Sequence, residues 1–550
     1  MLVHRSIFAV GASGALLVAS TLLSTPGVAS ASSPWATSVP VANVVASSRT
    51  VGGGYPDPGG APTAGTCRAG TLDANHSESA LAVKPGGEDL VGASKFFFDR
   101  FSTFYNFSLG AYSMPNGVPT ATSQVQGYEC TTVGTQAMPP SWTNVTDPNV
   151  AFDTMGRAYQ VTLPFNAYWT NLHPNGAIDL SYSDDLGHHW IKGNQGSDLE
   201  NSPNESSFSL AFEDKQWVAV NSMPGSPYQD HVYAAWALFK GSATSVRFAV
   251  SRDRGEHFDP AITITPPNVV GPSNTYVYPS IDAAGTIYVS FVSFPPSGKV
   301  STIYVARSTD DGRTFGAFNA VTTVGLLTSG NGDLPNTTFR DGIVESFAAS
   351  PTYAGHLYMT YEDWDGTQFD VKFTQSIDGG VHWSTPAVVN DATNNASTDQ
   401  FQPSVAAGPG GAVAVAFYDR RAACPADRSV LRQDVGRRNF CVDVTVQAYH
   451  DGGAGAVRVK GNARLSAATW DPQNPAQHVG GLGQMACPSH NDPCTESFIG
   501  DYFGLVVSAT KVYALSVSTH YPSDVTADEG GPVYYQQQVL STVSRASLGI

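Results

Sequence analysis

The tyrosine, aspartate, glutamate and arginine side chains of this sequence supply the chemical groups that are needed to cleave a bond between sugars. A carboxylic acid can protonate the leaving oxygen, and a second carboxylate can act as base or nucleophile. A tyrosine beside a glutamate base can act as nucleophile, and arginines can bind an anionic sugar. The predicted catalytic residues are Tyr502, Glu345, Asp501 and Asp99, and the predicted substrate-binding residues are Arg100, Arg420, Arg421 and Arg340. They can act together only if the fold brings distant segments close.

A short repeated motif indicates which elements could position these residues. The spacing S-x-D-x-G-x-x-W occurs in "SIDGGVHW" at Ser376, and related forms ending in tryptophan or phenylalanine begin at Ser183, Ser251 and Ser308. A motif that occurs in four copies in one chain indicates architecture rather than four active sites. We call these segments the serine–aspartate boxes.

The unit around Ser376 shows where a box lies in the fold. The stretches "IVESFAA", "HLYMTYEDW", "QFDVKFTQS" and "TPAVVN" are predicted as four successive strands, and the box is the tight turn between the third and fourth. In such a turn the aspartate can accept backbone N–H bonds, glycine can take positive φ, and the aromatic residue can fold back onto the sheet. The box histidines are interpreted as surface residues; they are His188, His189, His257 and His382.

Openings of strand pairs recur along the whole chain at regular spacing. They begin at Ser79, Asn149, Gln216, Tyr278, Val344, Gln402 and Asp501. Seven four-stranded units in radial arrangement make an all-β, seven-bladed β-propeller, with six blades as the alternative. Separate β-sandwiches would explain the regular spacing poorly.

With its four boxes the sequence resembles the sialidase (neuraminidase) superfamily of Asp-box, or BNR-repeat, propellers over about residues 75–545. The segments "FYDRR" at Phe417 and "FIGDYFGL" at Phe498 are similar to segments of secreted bacterial members. The resemblance implies hydrolysis of terminal sialic acid by a tyrosine–glutamate pair, with an aspartate as acid/base and three arginines on the substrate carboxylate. The chain lacks the family's Arg-Ile-Pro segment and has seven units where classical sialidases have six blades, so no catalytic residue is transferred from the family.

The face opposite the boxes is the predicted site, because it carries the long connections 326–342, 421–440 and 466–499. Residues that begin the first strand or end the second strand of a unit should converge there. They are Glu78, Asp99, Arg100, Asp147, Asp214, Lys215, Glu345, Glu362, Asp363, Asp419, Arg420, Arg421, Asp501, Tyr502 and His520. A structural role is the alternative for each, and Trp217 is interpreted as a core residue.

Composition and the N-terminus predict an exported protein. The net charge of -17 argues against nucleic acid as a partner. Residues 1–31 are predicted as a signal peptide, residues 32–66 as a flexible leader, and residues 67–550 as the propeller. We expect a secreted, monomeric protein with no membrane span in the mature chain, and a glycan or glycoconjugate as its substrate.

The six cysteines of the predicted mature chain favour disulfides in an oxidising compartment. The predicted pairs are Cys424 with Cys441, Cys487 with Cys494, and Cys67 with Cys130. Zinc is disfavoured because no C-x2-C pair occurs, and no D-x-D-x-D-G loop supports calcium. No metal or other cofactor is predicted.

Three functions remain open at the level of sequence. The first is an exported, sialidase-like glycoside hydrolase, which would need a tight cluster of arginines with a tyrosine. The second is a non-catalytic propeller that binds glycans or proteins, since a fold does not determine a function. The third is another polysaccharide-active propeller, such as an endo-glucanase or a lyase, with tryptophans and two separated carboxylates at the mouth.

Overall fold

Antiparallel sheets around a central axis make up the part of the chain that the computed structural model describes. That part comprises residues 33–47, 54–56, 67–69, 74–97, 107–124, 144–165, 176–202, 211–295, 300–326, 334, 341, 345–392, 398–424, 441–472, 478–479, 482–483, 498–523, 526–534 and 536–550. Within it, seven sheets each contribute four main strands in sequence from the axis outward. The predicted seven-bladed propeller is confirmed.

The two inner strands of a blade have seven to ten residues each, except that the innermost strands of blades 5 and 7 are shorter. The innermost strands, in order of blade, are Ala74–Val83, Asn144–Phe152, Ala211–Val220, Asn274–Ile281, Glu345–Ala349, Gln400–Ala407 and Gly504–Val507. The second strands are Leu90–Phe97, Ala158–Phe165, Val232–Lys240, Ile287–Ser293, Leu357–Trp364, Ala412–Asp419 and Lys511–Ser518.

The outer strands become shorter in most blades. The third strands are Phe107–Met114, Gly176–Ser183, Ala243–Ser251, Val300–Ser308, Phe369–Ser376, Asp443–Asp451 and Gln537–Ser544. The fourth strands are Ala121–Gln124, Ile191–Lys192, Ile262–Thr263, Gly316–Gly325, Ala387–Val388, Ala456–Arg458 and Val41–Val45.

Short elements complete the description. Additional strands are Glu200–Ser202 in blade 2, Ala463–Arg464 in blade 6, and two ribbons, Gly54–Pro56 with Cys67–Ala69 and His478–Val479 with Leu482–Gly483. The helical turns are Pro115–Gly117, Asn194–Gly196, Pro267–Val270, Pro409–Gly411 and Arg545–Leu548. No helix among the described residues is long and apolar enough to cross a membrane.

Second strands form the interior because both of their faces are covered by neighbouring blades. All eight residues of Ala412–Asp419 are buried, and its sequence "AVAVAFYD" is an apolar run rather than an alternating pattern. The buried clusters accordingly extend across pairs of blades: Tyr278 and Ile303 of blade 4 pack with Phe347 and Met359 of blade 5. Burial between blades therefore stabilises the ring.

Closure of the ring requires the last blade to approach the first. The innermost strand of blade 7 packs against that of blade 1. A side chain at Gly504 would place its Cβ 2.5 Å from the Cβ of Leu81, so only glycine permits this approach.

The outer strand of the closing blade comes from the N-terminal side of the chain. Val41–Val45 pairs antiparallel with Gln537–Ser544, with Val41 opposite Val543. Just before it, the indole N–H of Trp35 donates to Thr445 Oγ1 at 2.7 Å, and the Trp35 ring is buried. Part of the segment predicted as a leader thus belongs to the last sheet, and the blades include chain N-terminal to residue 67.

Each serine–aspartate box lies on the turn between the third and fourth strands, as the pattern predicts. In the box at Ser376, the serine hydroxyl donates to Asp378 at 2.8 Å, and the amides of Gly380 and His382 donate to Ser376 and Asp378 at 2.9 Å. The indole of Trp383 donates to the Gly380 carbonyl. The motif satisfies the polar groups of a tight turn.

The box histidines, interpreted from the sequence as surface residues, also take part in the structure of the box. His189, His257 and His382 are exposed, but all three occupy the same box position and each ring contacts its box aspartate at 2.5–2.7 Å. In the box at Ser308, Thr314 takes this position and donates to Asp310 at 2.6 Å. The side chain at this position therefore holds the aspartate in place.

The disulfide Cys424–Cys441 is present, with a Cα–Cα distance of 5.2 Å, which confirms that predicted pair. The predicted pairs Cys487 with Cys494 and Cys67 with Cys130 lie outside the described side chains, as does the predicted signal peptide.

Replacing Trp35 by alanine should lower the free energy of unfolding by about 3–5 kcal/mol, the range for removal of a buried tryptophan ring. Urea denaturation measures this change. Val44→Ala is the control, because Val44 lies in the closing strand but is 46% exposed; its effect should be about 0.5 kcal/mol or less. Equal effects of the two substitutions would contradict a specific role of Trp35 in anchoring the segment that precedes the closing strand.

Replacing Asp378 by alanine should destabilise the fold by about 1–2 kcal/mol, since turn amides lose their acceptor at a partly exposed site. Burial alone would raise the pKa of Asp378, but hydrogen bonds from the amide and ring of His382 lower it to about 2. A lowered carboxyl pKa stabilises the fold above the unfolded-state pKa, and this contribution is lost as pH falls. The advantage of the natural protein over Asp378→Asn should therefore shrink between about pH 5 and pH 2.

Chemical denaturation at several pH values tests both Asp378 variants. Ile377→Ala, at the neighbouring position that is 52% exposed, is the control and should leave stability unchanged. An Asp378→Ala protein that is as stable as the natural one would show that the box is not structural.

Candidate functional site

Bulges in the innermost strands bring polar side chains to the axis. Five of these side chains lie at a register shift of their strand and have a backbone φ between 43° and 55°. They are Glu78, Asp147, Lys215, Tyr276 and Gln402. This left-handed conformation is uncommon for residues other than glycine and costs about 1 kcal/mol or more. Five blades share the feature at corresponding positions, so it is a built part of the channel.

An ionic cluster links the bulges of blades 1 to 3 with the start of blade 7. The Lys95 ammonium lies 2.8 Å from Glu78, and that of Lys215 lies 2.7 Å from Asp501 and 3.4 Å from Asp147. All five side chains are 14% exposed or less. Charges this deeply buried require partners, which the two lysines and three carboxylates supply to one another.

The hydroxyl of Thr146 connects the two carboxylates of the cluster. It donates to Asp147 at 2.7 Å, lies 3.4 Å from Glu78, and accepts from Lys95 at 3.2 Å. Glu78 and Asp147 therefore share one hydrogen-bonded environment, although they come from different blades.

The two linked carboxyl groups are driven to opposite protonation states. Burial and, after it, the charge of Asp147 raise the pKa of Glu78 to about 7, although the ammonium group of Lys95 lowers it. Burial would also raise the pKa of Asp147, but the ammonium groups of Lys215 and Lys95 outweigh it and hold that pKa well below its usual range. Glu78 can hold a proton near neutral pH while Asp147 is ionised, which is the arrangement of an acid/base pair.

A cavity of about 150 Å³ lies in the channel beside this cluster. Trp217, Tyr278 and Tyr502 line both the cavity and the smaller space next to Asp147 and Lys215. The Trp217 ring lies 4.5 Å from that of Tyr278 and 5.4 Å from that of Tyr502, centroid to centroid. Trp217 is only half-buried. One side of its ring packs in the core, as inferred from the sequence, and the other side lines the cavity.

Tyr502 and Glu345 both lie at the channel but have different neighbours. The hydroxyl of Tyr502 donates to the Pro148 carbonyl at 3.1 Å, and the carboxyls that raise its pKa, after burial itself, are Glu78 and Asp147. Glu345 is fully buried, and its charge instead acts on Tyr278, whose pKa burial and Glu345 raise. The structure brings Tyr502 to the ionic cluster and Glu345 to Tyr278.

The remaining predicted site residues divide into three groups. Asp501 belongs to the ionic cluster through Lys215. Arg421, just after a blade 6 strand, donates to Asp419 at 2.6 Å, to Asp391 at 2.9 Å and to Asn462 at 2.8 Å. Arg420 is fully buried near Asp399. Asp99, Arg100 and Arg340 lie outside the described residues.

A second pair of carboxyl groups lies near the bulge of blade 6. The backbone amide of Gln402 donates to Glu362 at 2.8 Å. Burial and the neighbouring Asp341 raise the pKa of Glu362 well above its usual range, and burial raises that of Asp341 to about 7. In the described part of the chain no group of three or more His, Cys, Asp or Glu residues is arranged to hold a metal ion.

Sequence reasoning placed Glu78, Asp147, Lys215 and Tyr502 at the mouth but did not separate them from the other strand-end residues. The bulges that distinguish them follow from contacts between blades. A usable signal is the charged residue one or two positions before the strand-pair opening in "HSESAL", "VTDPNV" and "EDKQWV".

Replacing Glu345 by glutamine should stabilise the protein increasingly as pH rises from 4 to 8. Burial raises the pKa of Glu345 well above 4.5, and its carboxylate oxygens have no hydrogen-bond partner among the described residues. Above the unfolded-state pKa of the carboxyl group, ionisation of Glu345 lowers the free energy of the unfolded chain but not that of the folded chain. The stability difference should grow by up to about 1.4 kcal/mol per pH unit.

Glu88→Gln is the matched control for that titration, because the sign should reverse. Burial opposes a low pKa at Glu88, but hydrogen bonds from Thr510, Ser508 and Tyr513 lower it. Its glutamine variant should be less stable at pH 8 and approach the natural protein as pH falls through the carboxylate range. Urea denaturation at several pH values measures both variants. If the stability of both changed with pH in the same direction, the raised pKa of Glu345 and the lowered pKa of Glu88 would be contradicted.

Comparisons with known proteins find likeness only at the level of solved structures. No family model and no curated protein matches the chain. The Trypanosoma rangeli sialidase in complex with 2,3-difluorosialic acid matches with 11% identity and a TM-score of 0.39, over 93% of this chain and 60% of that one. The polysaccharide lyase Uly1 matches with 11% identity and a TM-score of 0.42, over 92% and 99%. The GH93 α-L-arabinofuranosidase of Fusarium graminearum matches with 13% identity and a TM-score of 0.31, over 60% and 93%. These distant matches concern the fold alone.

Proposed function

We propose that the protein is an exported glycoside hydrolase that acts on terminal sugars bound in the central channel. The observation that carries this proposal is the Glu78–Asp147 pair, two linked carboxyl groups from different blades whose pKa values are driven apart beside a cavity. Export is supported by the disulfide Cys424–Cys441, because such bonds persist in oxidising compartments.

In the proposed reaction Glu78 is the general acid and Asp147 the ionised partner. Glu78 gives its proton to the glycosidic oxygen as the bond between that oxygen and the anomeric carbon breaks. Asp147 stabilises the positive charge that develops on the sugar or attacks the anomeric carbon. Water then completes hydrolysis, and its proton returns to Glu78. Lys215 and Lys95 keep Asp147 ionised.

A sialidase-like version of this reaction would use Tyr502 as nucleophile. Its hydroxyl lies at the same cluster, and Asp147 could take its proton as the bond to carbon forms. Substrate binding would first have to break the hydrogen bond from Tyr502 to Pro148. Asp501 acts through Lys215 in either version, as a positioning residue.

A non-catalytic glycan-binding propeller is the second candidate. The observation that favours it is that the cluster is closed on itself: both lysines are paired and the Tyr502 hydroxyl has an acceptor. A screen of the purified protein against fluorogenic glycosides, sialosides included, separates the two candidates.

Replacing Glu78 by glutamine should lower kcat/KM by about 10²–10⁴-fold, the usual contribution of a general acid. In the natural protein, kcat/KM should fall as pH rises through about 7, because the proton of Glu78 is lost there. Glu213→Gln is the control: burial raises the pKa of Glu213 to about 7 as well, but its carboxylate accepts from Ser202, and the charged groups that act on it are Glu200 and Asp198 rather than the ionic cluster. An active Glu78→Gln protein with an unchanged pH profile would exclude Glu78 as the acid.

A further inference from the structure

We propose that the cavity takes a single uncharged sugar ring, and that anionic sugars such as uronic and sialic acids are poor ligands. This inference rests on the proposed function, since it names the substrate class of the same site. Its first support is the lining of the cavity, which among the described residues contains no charged side chain. The polar lining residues are Ser79, Asn149, Ser346 and Ser404, and the aromatic ones are Trp217, Tyr278, Phe347, Tyr502 and Phe503.

The chemistry of this lining fits the surface of a neutral sugar. The apolar face of a sugar ring can pack on an aromatic ring, and here the half-buried ring of Trp217, which packs on Tyr278 at 4.5 Å, lines the cavity. Hydroxyl and amide groups can exchange hydrogen bonds with sugar hydroxyls. The Ser79 hydroxyl is buried with no hydrogen-bond partner among the described residues, so a ligand hydroxyl would satisfy it.

The charges near the cavity are already balanced. With Glu78 protonated as in the proposed function, the ammonium groups of Lys95 and Lys215 are matched in number by the carboxylates of Asp147 and Asp501, both of which contact Lys215. The guanidinium of Arg421 is held by Asp419, Asp391 and Asn462 away from the channel. A ligand carboxylate entering the described channel would therefore compete with protein carboxylates for every cation it meets.

The size of the cavity limits how many sugar rings can bind in it. Its volume of about 150 Å³ corresponds to roughly five water molecules at about 30 Å³ each. Pockets for drug-sized ligands are larger, about 300–1,000 Å³. A single ring fits this space, and the remainder of a glycan chain would extend toward the mouth.

Matched pairs of sugars test the inference on the full-length mature protein. Binding of glucose and galactose is compared with that of glucuronate, galacturonate and N-acetylneuraminate by calorimetry, and turnover is compared on the corresponding 4-nitrophenyl glycosides. We expect at least a tenfold preference for one of the neutral sugars in affinity or in kcat/KM. A preference for an anionic sugar would overturn the inference, and so would the absence of both binding and turnover.

The same experiment distinguishes failure of the inference from failure of the proposed function. Binding of neutral sugars without turnover of any glycoside would contradict the hydrolase and leave the inference standing. Turnover of sialosides or uronides in preference to neutral glycosides would support the hydrolase and contradict the inference.

A charge placed in the cavity provides a second test. Ser404 lines the cavity and is half-buried, so a longer side chain can be introduced there. Ser404→Lys should shift the ratio of anionic to neutral sugar affinity by about tenfold toward the anionic sugar, which a pairing energy near 1.4 kcal/mol would produce. Ser404→Gln adds similar bulk without charge and is the control. Equal shifts in the two variants would show that charge does not determine selection.

Discussion

Contact between the last and first innermost strands is the constraint on which the channel depends. Gly504 lies so close to Leu81 that a side chain would not fit, and the strand Val41–Val45 completes the same closing blade from the other end of the chain. An open stack of sheets would leave blade 1 exposed on one face, and Asp501 of blade 7 would not meet Lys215 of blade 3 across the channel. The ionic cluster therefore depends on closure, since the contact between Asp501 and Lys215 joins the end of the ring to its first blades.

The polar axis is costly to build. Buried carboxylates and ammonium groups lose hydration, and replacement of a buried ion pair by apolar residues often leaves stability unchanged or improves it. The strained bulges at Glu78, Asp147 and Lys215 add to this cost. The apolar clusters between blades are a separate source of stability for the ring. Strain and buried charge at one place therefore argue for a function there.

The repeating architecture could be read from the sequence because it depends on local patterns. Strand alternation, turn residues and the serine–aspartate boxes are set by neighbours within a few positions, so the seven blades and the position of the box at Ser376 follow from the residues. The strand Val41–Val45 could not be assigned in this way, since its pairing partner lies almost 500 positions away. Likewise, the positions of Tyr502 and Glu345 along the chain do not determine which residues each of them faces across the axis.

Charge at the channel illustrates why residue types alone do not determine specificity. The arginines at Phe417–Arg421 have the type needed to bind an anionic sugar, but Arg421 is held by blade 6 carboxylates and Arg420 is buried. Whether a cation binds a ligand depends on what already neutralises it, and that depends on which blades meet. The same reasoning applies to Glu78 and Asp147, two carboxyl groups that differ in protonation. At Asp147 the charges of Lys215 and Lys95 outweigh burial, whereas at Glu78 burial and the charge of Asp147 outweigh the contact with Lys95. Acid and base roles at this axis are thus assigned by the packing of blades, which gives each carboxyl group a different set of neighbours.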